Sequence, residues 1–181
     1  MTASLTLHPH PTTSCPAVRT ITVALEAMAD GGIVLRYRIV GDIGQLRIPA
    51  PRPPGPADGL WQHTCCEAFV GGDGDRYREF NFSPSGQWAA YDFAGYRQRN
   101  ADYAAAEPPA IEFACDADSR SLTVRLPATL LPGTGQRVIG LTAVIETADG
   151  SKSYWALAHA GPQPDFHLRQ SFTLALNRPT P

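Results

Sequence analysis

The sequence predicts an all-β protein, a single-domain antiparallel β-sandwich of about ten strands. Three observations lead to this class. Apolar and polar residues alternate with a period of two along most of the 181 residues. The 17 Pro and 16 Gly fall between the apolar runs, where they end strands and form turns. No long segment repeats its apolar residues at the helical period of 3.6, so no long helix is expected.

The first predicted strands form a hairpin. Apolar residues alternate from residue 21 to residue 25, the sequence Asp-Gly-Gly at 30–32 is a turn signal, and residues 33–41 run back as the second strand. Residues 44–51 are predicted as a further strand. The proline-rich stretch 49–59 ends it, because each proline fixes φ and removes a hydrogen-bond donor.

The rest of the chain continues the strand pattern. Strand-like runs cover 64–71, 77–84 and 87–96, and the segment 97–110 is a longer excursion with room for one helical turn. A hairpin over 110–131 turns at 116–119, and the remaining strands lie within 137–160 and 171–176.

Charge and composition limit the partners. With 15 Lys+Arg against 17 Asp+Glu, the chain lacks the basic field that nucleic acid or an anionic membrane requires. No segment approaches the ~20 apolar residues of a membrane span. Without the basic and apolar regions of a signal peptide at the N-terminus, a cytoplasmic location is expected. Residues 1–17 are predicted to form a flexible arm and residues 18–178 the ligand-binding domain; the oligomeric state is left open.

The four cysteines predict neither a metal site nor a redox pair. Cys15, Cys65, Cys66 and Cys115 have no C-x-x-C or Cys/His ligand spacing. Cys65 and Cys66 are adjacent and therefore point to opposite faces of a strand. Structural thiols are the favoured interpretation.

Strand parity assigns faces to the two central strands. Phe80 and Phe82 share one face of their strand, and two aromatic rings on one face indicate the core. Glu79 and Asn81 then lie on the opposite face. In the preceding strand the small apolar residues take the core side, which leaves Glu67 on the same open face as Glu79 and Asn81.

This open face has the chemistry of a sugar site. Trp61 lies just before the strand and is expected to overhang the surface that carries Glu67, Glu79 and Asn81. An aromatic face stacks on the C–H patch of a pyranose, while carboxylates and amides hydrogen-bond its hydroxyls. Because a buried carboxylate is costly, Glu67 is expected to face solvent or ligand. The alternative is that Trp61 caps the core and Glu67 is a solvated strand residue.

Further candidates lie in the loops. Arg97 could reach a hydroxyl or carboxylate of a ligand, and Trp155 leads into an irregular loop flanked by His159 and His167. For Arg97 the alternative is a solvated arginine, and for His167 it is a histidine that hydrogen-bonds within its own loop.

Several motifs, in order, resemble the bacterial DOMON-like domains, relatives of the family 9 carbohydrate-binding modules. The shared pattern is a Leu-Trp, a Glu six residues after the Trp, a Tyr-x-Glu-Phe strand closing on Pro-x-Gly, and a terminal Phe-x-Leu-x-Leu strand. The matching residues are Trp61, Glu67, Tyr77, Glu79, Phe80, Pro84, Gly86, Phe172, Leu174 and Leu176. The matched pieces extend from about residue 20 to residue 176.

The resemblance implies an immunoglobulin-like sandwich that binds a small ligand, a sugar or haem, without changing it. In the sugar-binding modules two tryptophans clamp the sugar, and Trp61 and Glu67 match the first Trp and the Glu. Trp155, His159 and Phe166 compete for the position of the second ring. No cofactor is predicted; haem and calcium remain as alternatives.

The leading hypothesis is therefore a non-catalytic domain that binds a saccharide or a similar polar ligand. One alternative is a haem-binding DOMON-type domain. Another is a small-molecule isomerase, lyase or glycosidase that uses Glu67 or Glu79. No Gly-x-Ser-x-Gly motif, metal-ligand cluster or phosphate loop supports an enzyme, so a non-catalytic protein is favoured.

Overall fold

The computed structural model describes residues 3–133 and 135–176, and within these ranges the chain is all-β. The strands are β1 Ala3–Pro9, β2 Val18–Ala27, β3 Ile33–Gly41, β4 Gly55–Pro56, β5 Cys65–Gly71, β6 Tyr77–Phe82, β7 Gln87–Phe93, β8 Arg99–Asn100, β9 Ala110–Cys115, β10 Ser119–Leu126, β11 Arg137–Glu146, β12 Lys152–Ala156 and β13 Leu174–Leu176. The helical segments are short 3-10 helices of three residues each. No helix in the described part of the chain is long and apolar enough to cross a membrane.

The strands form one sheet that folds over itself into two layers. The first layer has the order β1-β2-β3-β10-β9, and the second has the order β4-β7-β6-β5-β11-β12, with β8 beside β7 and β13 beside β11. Strand β1 joins the layers, because residues 3–7 pair with β2 whereas His8 and Pro9 pair with β12. The predicted sandwich class is thus confirmed, with thirteen strands in the described ranges.

The core lies between the layers and follows strand parity. The inward residues of β5 and β6 are buried, as predicted for Phe80 and Phe82, whose rings lie 6.3 Å apart and nearly parallel. They pack against inward residues of β2, β3 and β10 in the first layer. Tyr37 spans the core and donates a hydrogen bond of 2.6 Å to the backbone oxygen of Glu67. This contact links the two layers directly behind the outer face of β5.

Part of the segment that was predicted to be a flexible arm is a strand. Residues 3–9 form β1, Leu7 is buried in the core, and His10 is buried just beyond the strand. The backbone groups of β1 complete the ladders of β2 and β12, both of which would otherwise have an unpaired edge. Expectation and structure therefore differ for residues 3–9, and residues 1 and 2 lie outside the described range.

Two other local predictions are wrong. The segment 44–51 is not a strand, since a 3-10 helix covers Ile43–Gln45 and only Leu46 makes an isolated bridge, to Thr147. The excursion 97–110 contains strand β8 and turns rather than a helical turn. The prolines that follow Ile48 explain the first error, because they remove the donors that a ladder needs.

Candidate functional site

A pocket of about 780 Å³ lies on the outer face of the second layer. Strands β5, β6, β7, β11 and β12 form its floor and walls. Three further segments between or at the ends of the main strands complete it, at residues 58–62, 97–99 and 164–167. The pocket therefore combines a rigid sheet with loops that are distant in sequence, an arrangement typical of binding sites.

Glu67 and Glu79 form the floor. Register places Glu67 of β5 between Asn81 of β6 and Thr142 of β11. Glu67 and Glu79 are almost fully buried, with 2% and 6% of their surface exposed. Thr142 Oγ1 donates to Glu67 Oε2 at 3.0 Å, and Asn81 Nδ2 donates to Glu79 Oε1 at 2.7 Å. Glu67 was expected to face solvent or ligand; it borders the pocket, but from a buried position that one side-chain hydrogen bond supports.

Burial changes the acidity of both floor residues. Loss of solvation raises the pKa of Glu67 well above its ordinary value, and the nearby charge of Glu79 raises it further. Burial also raises the pKa of Glu79, although Asn81 and the positive charges of Arg97 and Arg99 oppose that change. The two carboxyl groups therefore keep their protons to higher pH than exposed glutamates do.

His167 lies beside this pair. Its Nδ1 is 2.8 Å from the hydroxyl of Tyr77, and its Nε2 is 3.7 Å from Glu79 Oε2. Burial and the charge of Arg97 lower the pKa of His167 to about 4, so its ring is neutral near pH 7. Tyr77 already accepts the backbone N–H of Arg97 at 3.1 Å. The Tyr77 hydroxyl thus donates to Nδ1, and the ring proton is assigned to Nε2, on the side of Glu79.

Aromatic side chains supply most of the apolar wall. Trp61 lies in the 3-10 helix Leu60–Gln62 at the mouth of the pocket, and its side chain is 52% exposed. Gly59 precedes that helix with a φ of 73°, a left-handed conformation that glycine adopts without strain. The further rings of the wall belong to Phe69, Tyr91, Phe93, Tyr154 and Phe166.

Two arginines lie on the rim. Arg97 Nη2 bonds to Asp165 Oδ1 at 3.0 Å, and Tyr96 donates to the other oxygen of Asp165 at 2.6 Å. Arg97 has a φ of 54°, and the strain of this left-handed backbone indicates that its neighbours hold the loop in place. Arg99 stacks on the ring of Tyr91, with its guanidinium carbon 4.2 Å from the ring centre.

Four of the sequence-predicted site residues come together at this pocket. Trp61, Glu67, Glu79 and Arg97 all line it. Asn81 does not line it; it is fully buried and bonded to Glu79, and its Oδ1 has no hydrogen-bond partner.

Trp155 and His159 lie elsewhere. Trp155 is 4% exposed within the core, and its Nε1 donates to Ser153 Oγ at 2.9 Å. The Nε2 of His159 is bonded to the backbone oxygen of His8 at 2.9 Å. Of the residues proposed for the second ring, Phe166 is the one that lines the pocket.

Sequence reasoning missed several lining residues. Tyr91 and Phe93 share a face of β7, and Glu79 pairs with Tyr91, so extending the parity argument by one strand would have found them. Asp165 has no such signal, because it belongs to an irregular loop; in the same loop, His167 was named as a candidate and does line the pocket. Cys66 belongs to the core, as its parity predicts, whereas Cys65 on the other face is buried as well, and Cys115 is exposed. No group of three potential metal ligands occurs within 3–133 and 135–176.

Comparison with known proteins gives a fold relationship. No protein-family model matches the chain, and no curated protein matches it. The crystal structure of a candidate carbohydrate-binding protein from Bacteroides uniformis is similar, with a TM-score of 0.68 over 94% of this chain and 84% of that chain. The two sequences are 16% identical over the match. The chain therefore shares the β-sandwich fold of that protein.

Proposed function

We propose that the protein is a non-catalytic binding domain for a saccharide or a similar small polar ligand, held in the pocket on the outer face of the second layer. One observation carries the proposal: half-exposed Trp61 at the mouth and the buried acids Glu67 and Glu79 at the floor line the same pocket. An indole face stacks on the C–H surface of a sugar ring, and carboxyl oxygens hydrogen-bond its hydroxyls.

The dimensions and lining of the pocket support this function. A volume of about 780 Å³ lies within the range of roughly 300–1,000 Å³ found for small-molecule sites. The wall is largely aromatic, with a few polar groups converging from the floor and rim. Such a lining suits a ligand that has both apolar faces and hydroxyl groups.

We also propose a relationship to the DOMON-like domains and the family 9 carbohydrate-binding modules. The spacing of Trp61 and Glu67 supports it, together with a sandwich fold that a candidate carbohydrate-binding protein shares. In this interpretation Phe166 takes the role of the second ring, since Trp155 belongs to the core.

A hydrolytic function is the second candidate. Two buried acids with raised pKa values on one face of a sheet are a common feature of catalytic sites. Haem fits the pocket less well. The described lining of the pocket contains no Met or Lys that could bind the iron. Its histidine, His167, is held between Tyr77 and Glu79.

The proposal is tested by titrating the protein with mono- and oligosaccharides while tryptophan fluorescence and heat of binding are recorded. A bound sugar should change the emission of wild-type protein, and the Trp61→Phe variant should lose most of that change. Glu79→Gln should weaken binding. If no saccharide gives heat or a fluorescence change, the proposal fails. If a bound glycoside is cleaved by wild-type protein but not by Glu67→Gln or Glu79→Gln, the protein is a hydrolase.

A further inference from the structure

The charges at the rim of the pocket balance one another. Arg97 forms a 3.0 Å ion pair with Asp165, and Arg99 lies 3.9 Å from Asp58. Two positive and two negative groups therefore offset each other around the mouth. A ligand that enters passes a rim with no net charge.

At the floor of the pocket, the negative charge is not balanced in this way. Glu67 accepts a single side-chain hydrogen bond, from Thr142, and the charged group that acts on it is another carboxyl group, that of Glu79. Arg97 and Arg99 act on Glu79, and no arginine is among the groups that act on Glu67 in the described part of the chain. An anionic Glu67 would be a buried charge without a cation, which proteins avoid unless a partner is supplied.

The aromatic walls of the pocket provide a favourable environment for a cationic partner of Glu67. Phe69 lies two residues from Glu67 on the same face of β5 and pairs with Glu79, which Tyr91 of β7 flanks on the other side. Trp61 and Phe166 line the same pocket from the loops. Aromatic faces attract cations by about 0.5–2 kcal/mol each, most strongly where water is excluded. Carboxyl groups under aromatic rings form the usual surroundings of an organic ammonium ion.

We propose that the ligand carries a primary ammonium group, as an amino sugar does, and that this group binds at Glu67 between the aromatic walls. The inference rests on the proposed saccharide-binding function and narrows its ligand class. The ammonium supplies the cation that Glu67 lacks and three hydrogen-bond donors. The sugar ring that carries it can still stack on Trp61 at the mouth.

Binding of this ligand is coupled to release of a proton. Burial raises the pKa of Glu67 in the free protein, so whatever fraction of Glu67 is protonated gives up its proton as the ammonium arrives: the neutral acid and R–NH₃⁺ give the carboxylate–ammonium pair, and the proton goes to solvent. The affinity should therefore rise with pH until the ligand amine itself loses its proton. The titratable and charged groups around Glu67 and its pocket come from several elements: Tyr37 from the first layer, Cys65 and Cys66 on β5, Glu79 on β6, Tyr91 on β7, Arg99 on β8, Tyr154 on β12, and Asp58, Arg97, Asp165 and His167 on the loops.

The test compares three disaccharides of similar size by calorimetry: the β-1,4 dimer of glucosamine, its N-acetylated form, and cellobiose. Wild-type protein at pH 7.5 should bind the amine at least about tenfold more tightly than the other two, the effect expected of one charge-assisted contact. Titrations in two buffers of different ionisation enthalpy should show release of up to one proton per amine bound, and none for cellobiose.

Two variants complete the experiment. Glu67→Gln keeps the shape of the side chain and should bind the three disaccharides with similar affinity and without proton release. Glu112→Gln removes an exposed carboxyl group from β9 in the other layer and should behave as wild type. Equal affinities for the three sugars in wild-type protein would overturn the ammonium inference but leave the saccharide function intact. Failure of all three to bind would overturn the saccharide function itself.

Discussion

The two tryptophans at residues 61 and 155 offer a matched test of the site. Trp61 is 52% exposed at the mouth of the pocket, whereas Trp155 is 4% exposed in the core. A fully buried Trp hides about 150–250 Å². Trp61 thus removes roughly 100 Å² from water, which at ~25 cal/mol per Å² gives an upper limit near 2.5 kcal/mol.

For Trp61→Ala we expect a loss of about 1–2 kcal/mol in the free energy of unfolding, because the unfolded chain already hides part of this area and the space opens to solvent instead of leaving a cavity. Trp155→Ala should cost about 3–5 kcal/mol, since it creates a core cavity and leaves Ser153 Oγ without its donor. Only Trp61→Ala should abolish saccharide binding while the protein remains folded.

Urea unfolding followed by far-UV circular dichroism measures both losses, and calorimetry on the folded variants measures binding. The m-value should stay unchanged in both variants, so that the midpoints can be compared directly. If Trp61→Ala destabilised the protein as much as Trp155→Ala, Trp61 would be a packing residue. Undiminished sugar binding by Trp61→Ala would equally contradict its role as the stacking platform.

Two further predictions concern acidity and thiol reactivity. Because the folded-state pKa of Glu67 is raised, its contribution to stability is complete below the ordinary pKa of about 4.3 and is lost as pH rises toward the folded value. Glu67→Gln should therefore become increasingly more stable than wild type between pH 4.5 and pH 8; a stability difference that does not vary with pH would contradict the burial argument. In the native protein, a thiol reagent followed by mass spectrometry should label exposed Cys115 quickly and the buried pair Cys65 and Cys66 only after unfolding. Rapid labelling of that pair under native conditions would indicate local opening of β5.

The central part of the site could be predicted from the sequence because parity is a local property. Alternation along β5 and β6 is sufficient to turn Phe80 into the core and Glu67 and Glu79 to the other side, whatever the remaining strands do. The turn that connects the two strands is short, so they must pair as neighbours. The open face could therefore be identified before its surroundings were known.

Parity did not indicate how deeply that face is buried. Glu67 was expected to face solvent or ligand; it borders the pocket, yet it is only 2% exposed, because it lies on a central strand paired with β6 and β11. Trp155 was predicted as a site residue, but it lies in the core. Register pairs it with Ala143 on the core side of β11, and a single strand read alone does not contain that register.

The sequence by itself determined the all-β class, the core face of the central hairpin, and the presence of Trp61 close to Glu67, since each depends on residues near one another in the chain. The tertiary structure decided which distant segments of the chain come into contact. Residues 3–9 become a strand only because β2 and β12 offer them partners, and Arg97 meets Asp165 across 68 residues of chain. Loop closure and strand order set these contacts, and neither leaves a periodic trace in the sequence.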